Sequence, residues 1–190
     1  MIIAWYEKKT KERNPVMENQ KNREVKIEYA TMDDLSTIMN IMHTALGLVE
    51  DKSWYAVDSE EFVGKCIEGQ GFTLKAMVDG NVAGFLTVRY PWREEDNLGD
   101  YIGLSDDEKM FVAHMESAAV LPEYRGLRIQ NKLMAKGFEL LKETKYKYVM
   151  GTAHPDNSFS VNNFLKLGYE IVADVKKYGG LRRYVFNQTI

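Results

Sequence analysis

Cysteine is nearly absent from the chain, and its scarcity excludes two kinds of site. The single thiol, Cys66, cannot form an internal disulfide, and with three scattered histidines it offers no metal-ligand spacing. A lack of disulfides is typical of the reducing cytoplasm. Long apolar runs are also missing: no stretch approaches the roughly 18 residues of a membrane span, and Met1–Tyr6 is too short for a signal peptide. We therefore expect a cytoplasmic protein with no membrane partner and no metal.

Excess positive charge is also lacking. The net charge is −3, which argues against nucleic acid as a partner. The charge is uneven, because residues 1–26 carry seven basic and four acidic side chains, whereas residues 91–109 carry two basic and seven acidic ones. Residues 1–24 show no sustained period, so we interpret them as a loosely ordered extension before a single domain, residues 25–190. The acidic segment 91–109 is either a solvated loop or a surface that attracts a cationic substrate.

Short apolar runs, by contrast, follow one another in a regular order. Period-two patterns predict strands at 25–29, 72–78, 82–90, 111–120, 148–152, 169–175 and 181–187, and helical spacing predicts helices at 35–46, 58–67, 127–144 and 157–167. Turn residues at Asp79-Gly80 and Tyr178-Gly179-Gly180 require antiparallel neighbours, whereas strand–helix–strand crossings require parallel ones. The order predicts an α/β fold of three layers, α-β-α, with a mixed, mostly antiparallel sheet of about seven strands.

The most informative segment is 117–133, in which an apolar strand, a tight basic turn and an amphipathic helix follow one another. Pro122 cannot donate to a central strand ladder, so the strand ends at Val120. The turn Tyr124-Arg125-Gly126 leads directly into the helix, whose first N–H groups have no intrahelical acceptor. Together with the helix dipole, these donors favour the binding of a phosphate group.

This segment resembles the acyl-CoA-binding motif of the GNAT family of N-acetyltransferases, Arg/Gln-x-x-Gly-x-Gly/Ala. Arg125 opens the motif, but Arg128 stands at its central glycine, which predicts a backbone outside the left-handed region or a strained one. The resemblance implies the acyl-CoA N-acyltransferase fold over about residues 25–188, acetyl-CoA as cosubstrate and no metal. It implies that the turn binds pyrophosphate and that the free strand edge binds the pantetheine arm. The implied cofactor-binding residues are Ala118, Ala119, Val120, Arg125, Gly126, Leu127, Arg128, Ile129 and Gln130.

A second match follows further along the chain, where Asn157 and Ser160 fit the family pattern Asn-x-x-Ala-x-x-x-Tyr-x-x-x-Gly-Phe. The resemblance implies that Asn157 hydrogen-bonds the pantetheine region with Ser160 beside it, and a plain helix N-cap role for Asn157 is equally open. Phe164 occupies the position at which many relatives hold the tyrosine that protonates the leaving thiolate. Tyr124 and Tyr169 are the nearby hydroxyls, and the sequence does not choose between them.

Strand 111–120 offers a candidate for the general base, Glu116, at a position where several GNAT enzymes carry a glutamate. We expect burial to raise its pKa towards the range that suits a base acting directly or through water. Strict alternation places His114, Glu116 and Ala118 on one side of the strand, unless a bulge interrupts it. The alternative for Glu116 is a solvent-facing or edge position. His114 and His154 are weaker candidates for the base.

The resemblance to the GNAT family implies an N-acetyltransferase that moves the acetyl group of acetyl-CoA to a primary amine of a small molecule or a peptide. We expect direct attack in a ternary complex, because Cys66 falls on an apolar helix face and supplies no nucleophile. Two alternatives stay open: a non-catalytic acyl-CoA sensor, which Phe164 permits, and a transferase for a longer acyl group. A homodimer is also left open.

Overall fold

The structure, a computed structural model, describes residues 23–190, so the predicted extension at 1–24 lies almost entirely outside it. All seven predicted strands are present: β1 Lys26–Tyr29, β2 Gly71–Val78, β3 Asn81–Arg89, β4 Val112–Val120, β5 Tyr148–Ala153, β6 Glu170–Lys177 and β7 Leu181–Thr189. They form one sheet in the order β1-β2-β3-β4-β5-β7-β6. Every neighbouring pair is antiparallel except β4 and β5, which are parallel. The predicted mixed, mostly antiparallel sheet is confirmed.

Helices cover both faces of this sheet: α1 Leu35–Leu48, α2 Glu60–Lys65, α3 Asp106–Lys109, α4 Ile129–Lys142 and α5 Ser158–Lys166. On one face, Ile38 of α1 and Val63 of α2 pack with Phe85. On the other, Leu133 of α4 packs with Leu86. Because adjacent strand residues point to opposite faces, Phe85 and Leu86 belong to separate cores, and the three-layer prediction is confirmed. No helix among residues 23–190 is both long enough and apolar enough to cross a membrane.

Helix α2 begins later than its predicted start at residue 58. Ser59 is the N-cap, and its hydroxyl accepts a hydrogen bond from the Phe62 N–H at 3.2 Å. The first helical residue is Glu60, and Asp58 therefore stands in the preceding loop. This two-residue difference matters below, since a side chain before the cap is free to face the sheet.

A β-bulge interrupts β4. Ser117 pairs with Thr87 and Met115 with Val88 in β3, which leaves Glu116 without a partner. The bulge reverses the alternation on its two sides: Met115 and Ala118 both belong to the core beneath α4. The prediction that Ala118 shares a face with His114 and Glu116 is therefore wrong, because the extra residue shifts the phase of the strand by one.

The parallel pair β4–β5 separates halfway along its length. The register runs from Val112–Tyr148 to Met115–Gly151 and ends there. Beyond this point β4 continues to Val120 paired only with β3, and β5 continues to Ala153 paired only with β7. The second half of β4 therefore has one edge whose main-chain groups are not used by the sheet.

Candidate active site

The gap between β4 and β5 opens into a cleft with a volume of about 240 Å³. Most of the residues predicted to bind cofactor line it, together with the predicted base: Glu116, Ala118, Ala119, Arg125, Gln130, Asn157 and Ser160. They come from β4, from the turn before α4 and from the start of α5. Three separate segments of the chain thus converge on one site.

The turn before α4 presents a row of unused main-chain donors. Tyr124 and Arg125 donate their N–H groups to Leu121 and Pro122 in a short 3₁₀ turn, and the N–H of Lys132 closes the first turn of α4. Among the described residues, no acceptor receives the backbone N–H groups of residues 126–131. A helix start with its donors free is a ready site for an anion.

Two residues of this turn hold left-handed backbone conformations. Gly126 has φ +87° and Arg128 has φ +57°, so Arg128 adopts the strained alternative of the two that the sequence left open. A left-handed conformation costs a non-glycine residue about 1 kcal/mol. Arg128 therefore adopts the left-handed backbone conformation that glycine usually provides in such a turn. Its side chain is exposed beside the free donors.

Leu127 and Ile129 fill the turn from below. Their side chains are buried in the core beneath α4 and do not line the cleft. Only their main chain is therefore available to a ligand. These two apolar anchors alternate with exposed Gly126 and Arg128, an arrangement that fixes the turn against the core while its donors stay on the surface.

Asn157 combines the two roles that the sequence allowed. Its side-chain oxygen accepts a hydrogen bond from the Ser160 N–H at 3.2 Å and so caps α5. Its side chain also lines the cleft. Since the oxygen is used by the cap, the amide NH₂ is the part of Asn157 that can serve a ligand.

Phe164, at the position where many relatives have the tyrosine that protonates the thiolate, lines the cleft. Its ring is fixed by two aromatic neighbours. It stacks on Phe186 with centroids 4.4 Å apart and meets Tyr169 edge to face at 5.1 Å. Tyr169 and Tyr124 are both buried, and neither lines the cleft. The two tyrosines between which the sequence did not choose thus lie outside the cleft, which instead contains Tyr55 and Tyr178.

Glu116 is held at the bulge by a buried arginine that the sequence analysis missed. Arg89 Nε donates to Glu116 Oε2 at 2.8 Å, and the same guanidinium bonds Glu94 at 2.9 Å and Asp96 at 2.6 Å. The Arg89 side chain is only 3% exposed and that of Glu116 14%. A solvent-facing position for Glu116 is therefore excluded. An arginine ending an apolar strand was the one signal that could have suggested this pair.

His114 completes the arrangement around Glu116. The backbone N–H of Leu98 donates to His114 Nε2 at 3.1 Å, so the other ring nitrogen, Nδ1, faces the Arg89–Glu116 pair. Nδ1 lies 3.4 Å from Glu116 Oε2. Burial alone would raise the pKa of Glu116, but the His114 contact and the Arg89 guanidinium lower it to about 2. The expected raised pKa is thus wrong in direction, and Glu116 is a fixed anion at neutral pH.

Asp58 is a second carboxylate in the cleft, next to Glu116. Burial and the negative charge of Glu116 raise the pKa of Asp58 to about 6, against the interaction with the Ser117 hydroxyl. Ser117 Oγ also lies 3.2 Å from the hydroxyl of Tyr55. The sequence analysis missed Asp58 because it placed this residue inside the predicted helix 58–67. Ser59, a good N-cap residue, was the signal that could have moved the helix start past Asp58.

The acidic segment 91–109 does not contribute a side chain to the cleft. Six of its seven carboxylates are engaged elsewhere: Glu94 and Asp96 with Arg89, Asp107 with Arg93, Asp100 and Asp106 with Lys109, and Glu108 with Ser105. The negative charge that faces the cleft comes instead from Glu116 and Asp58.

Comparisons with known proteins identify the family and agree with the fold. A model of the Acetyltransferase (GNAT) family matches residues 35–169. An N-alpha-acetyltransferase from Sulfurisphaera tokodaii is 28% identical over 166 residues, 85% of this chain and 89% of the relative. The ribosomal-protein-alanine N-acetyltransferase structure from Brucella melitensis has a TM-score of 0.65 at 19% identity, covering 87% of this chain and 99% of that one. The PaiA N-acetyltransferase from Thermoplasma acidophilum, solved with coenzyme A, has a TM-score of 0.62 at 14% identity, covering 88% and 99%.

Proposed function

The chain belongs to the GNAT family of acetyltransferases and uses acetyl-CoA as cosubstrate, and from this premise we propose how it transfers the acetyl group. The acceptor is a primary amine of a small molecule or a peptide, which attacks the thioester directly in a ternary complex. Its proposed location is the cytoplasm, which the single buried cysteine, Cys66, supports.

One observation carries this proposal: the row of free N–H groups between Gly126 and Asn131. A pyrophosphate needs several donors at once, and here they point from a helix start whose dipole adds positive potential. The exposed side chains of Arg125 and Arg128 add two cations at the same place. The turn therefore fits the diphosphate of acetyl-CoA.

The pantetheine arm fits the free edge of β4. After Met115 the strand no longer pairs with β5, so its main-chain groups can pair with the amides of the arm, in the manner of an added strand. Asn157 offers its side-chain NH₂ from the opposite wall. The thioester is then held in the cleft near Glu116, and acetyl-CoA supplies the activated acyl group there.

Glu116 and Asp58 have different roles in the reaction of the amine. Glu116, ionised and fixed by Arg89 and His114, orients the amine and stabilises the positive charge that develops on its nitrogen during attack. Asp58, with its pKa raised to about 6, is better matched to accept the proton near neutral pH. Glu116 thus acts as an electrostatic catalytic residue, and Asp58 acts as the base.

No covalent intermediate is proposed, because Cys66 is buried and burial raises its pKa to about 12. Phe164 offers no proton to the departing thiolate. A free thiol has a pKa of about 8.5, low enough for the thiolate to leave unprotonated.

The test combines coenzyme A binding with turnover. Calorimetry on the full chain should detect coenzyme A, and release of free thiol from acetyl-CoA should depend on added amine. Glu116→Gln should lower kcat by about a hundredfold, the lower end of contributions by catalytic side chains. Its affinity for coenzyme A should stay unchanged, because Glu116 is placed on the acceptor side. Glu139→Gln, which alters an exposed pair with Lys142, is the matched control.

Each failure has its own meaning in this test. Absence of coenzyme A binding would overturn the phosphate site in the turn. Binding without thiol release for any amine would favour the acyl-CoA sensor, which Phe164 permits. Unchanged turnover in Glu116→Gln would remove that residue from the mechanism.

A further inference from the structure

Arg183, at the start of β7, is a buried cation that faces the same cleft. It is 3% exposed, and no carboxylate of residues 23–190 forms an ion pair with it. Its guanidinium donates to two backbone carbonyls, that of Arg182 at 2.8 Å and that of Ser53 at 2.7 Å. Of the five N–H donors of an arginine, three are left over.

A buried guanidinium without a counter-charge is unfavourable, since two neutral carbonyls do not replace the hydration of a full charge. Burial lowers the pKa of Arg183, which reports the same cost. The Tyr178 ring, 5.5 Å from the guanidinium, offers only weak compensation. The adjacent Arg182, by contrast, is exposed and pairs with Asp174 at 2.6 Å. Arg183 therefore has both the charge and the free donors to bind an anion that enters the cleft.

The proposed cofactor phosphates cannot be that anion, because their donors lie between Gly126 and Asn131, at the start of α4 on the other face of the sheet from α1 and α2. Arg183 instead bonds Ser53, in the loop between α1 and α2 that also carries Asp58. Arg183 lines the same cleft as the two carboxylates, Glu116 and Asp58. The acceptor part of the cleft thus contains an anionic and a cationic end.

We propose that the acceptor is a small zwitterion, a free amino acid, whose ammonium group faces Glu116 and Asp58 and whose carboxylate binds Arg183. This inference rests on the proposed acetyl transfer and specifies its substrate. A guanidinium binds a carboxylate through paired charge-assisted hydrogen bonds, which gives both affinity and orientation. A peptide N-terminus has no carboxylate next to its amine, so it leaves Arg183 uncompensated.

The first experiment needs only the wild-type protein. Alanine, methionine, phenylalanine and glutamate are each compared as acceptors with the corresponding amino acid amide, which keeps the amine and removes the negative charge. We expect kcat/KM to fall by about tenfold to a hundredfold for the amide, the range of hydrogen bonds to a charged group. Calorimetry of the same pairs, on protein saturated with coenzyme A, should show the same preference in binding without turnover.

The second experiment separates recognition from support of the loop. Arg183→Gln should lower kcat/KM for the preferred amino acid to the level of its amide, and should leave the amide and the affinity for coenzyme A unchanged. A purely structural role through Ser53 would lower activity with the amino acid and the amide alike. Arg182→Gln is the matched control, and both acceptors should be used by it as by the wild type.

The outcomes are distinguishable from a failure of the proposed function. If the wild type acetylates amides or peptides as well as free amino acids, acetyl transfer stands and the zwitterion is wrong. If Arg183→Gln weakens coenzyme A binding, the arginine belongs to the cofactor and the inference is overturned. If no amine releases thiol from acetyl-CoA, acetyl transfer itself fails, and calorimetric binding of the amino acid still decides whether Arg183 recognises a carboxylate.

Discussion

The pKa values of two carboxylates in the cleft, Glu116 and Asp58, are shifted in opposite directions by their surroundings. Glu116 has a cationic guanidinium and an imidazole as partners, and its pKa falls to about 2. Asp58 has mainly burial and a neighbouring anion, and its pKa rises to about 6. A pair of titratable groups separated in this way identifies the fixed charge and the proton carrier. The residue that sequence reasoning chose is the fixed charge.

The proton-accepting role of Asp58 predicts a specific pH dependence. Because only the ionised carboxylate can accept a proton, kcat/KM of the wild type should rise with pH and level off above a pKa near 6. Asp58→Asn should lose this acidic limb and lower kcat at pH 8 by about a hundredfold. Initial rates between pH 5 and 9, measured over a range of amine concentrations, give both kcat and kcat/KM and check this.

Asp33→Asn provides the control, since Asp33 is exposed and lies outside the cleft. Its profile should coincide with that of the wild type. An acidic limb that persists in Asp58→Asn would assign the titration to another group and contradict the role of Asp58.

At the scale of secondary structure, the elements were predictable because their signals are local. The Asp79-Gly80 turn, the Asn157 cap and the period of each strand lie within a few residues of the structure they determine. The bulge at Glu116 has no such signal, because it is defined by the pairing of Ser117 with Thr87 about thirty residues away. Prediction of the strand therefore succeeded, and prediction of the directions of its side chains failed.

The candidate site also has one part that local sequence signals predict and one part that they do not. Its cofactor half, from Arg125 to Gln130 and at Asn157, is built from a strand–turn–helix unit and a helix cap, and both were visible in the sequence. Its acceptor half depends on Arg89, Asp58 and Arg183, which come from β3, a loop and β7. Only the assembled sheet brings these three together, so local patterns could not reveal them.

A glycine, Gly151, lies at the point where β4 and β5 separate. A Cβ at Gly151 would lie 2.7 Å from Phe164 Cζ and 3.1 Å from the carbonyl oxygen of Met115. Since Phe164 is stacked on Phe186, its ring has little room to move away. We expect Gly151→Ala to lower the free energy of unfolding by about 1–3 kcal/mol, as overpacking does, and to weaken coenzyme A binding at the distorted mouth.

Gly47→Ala is the matched control for this substitution. Gly47 lies within α1, and a Cβ there meets no atom within 4 Å. Alanine should therefore stabilise the helix by about 0.5–1 kcal/mol. Denaturant titrations of the two variants should shift in opposite directions. If Gly151→Ala left the free energy of unfolding unchanged, the contact with Phe164 would not be tight.

At the scale of the whole molecule, one ion-pair network joins parts of the chain that are distant in sequence. Arg89 of β3 binds Glu116 of β4 and two of the three acidic residues in the loop that follows β3, Glu94 and Asp96. Loss of Glu116 would remove the most buried of the three carboxylates and its charge-assisted hydrogen bond to Arg89, which is costly even though Glu94 and Asp96 remain. The stability of the sheet is therefore linked to the carboxylate that we propose as catalytic.

This linkage has a definite sign with respect to pH. The pKa of Glu116 falls from 4.5 to about 2 on folding, so its contribution to stability is present above pH 4.5 and is lost as the pH falls towards 2. We expect Glu116→Gln to be less stable at pH 7 by about 1–3 kcal/mol, the cost of a lost hydrogen bond to a charged group. Below pH 4.5 the difference in the free energy of unfolding between wild type and variant should become smaller, because protonation removes the same interaction from the wild type.

Glu139→Gln is the control for this prediction. It alters an exposed ion pair worth at most about 1 kcal/mol, so its stability should follow that of the wild type at every pH. Urea unfolding at several pH values measures these differences, and a gap that stays constant down to pH 3 would show that Glu116 is not held by Arg89 as the structure has it.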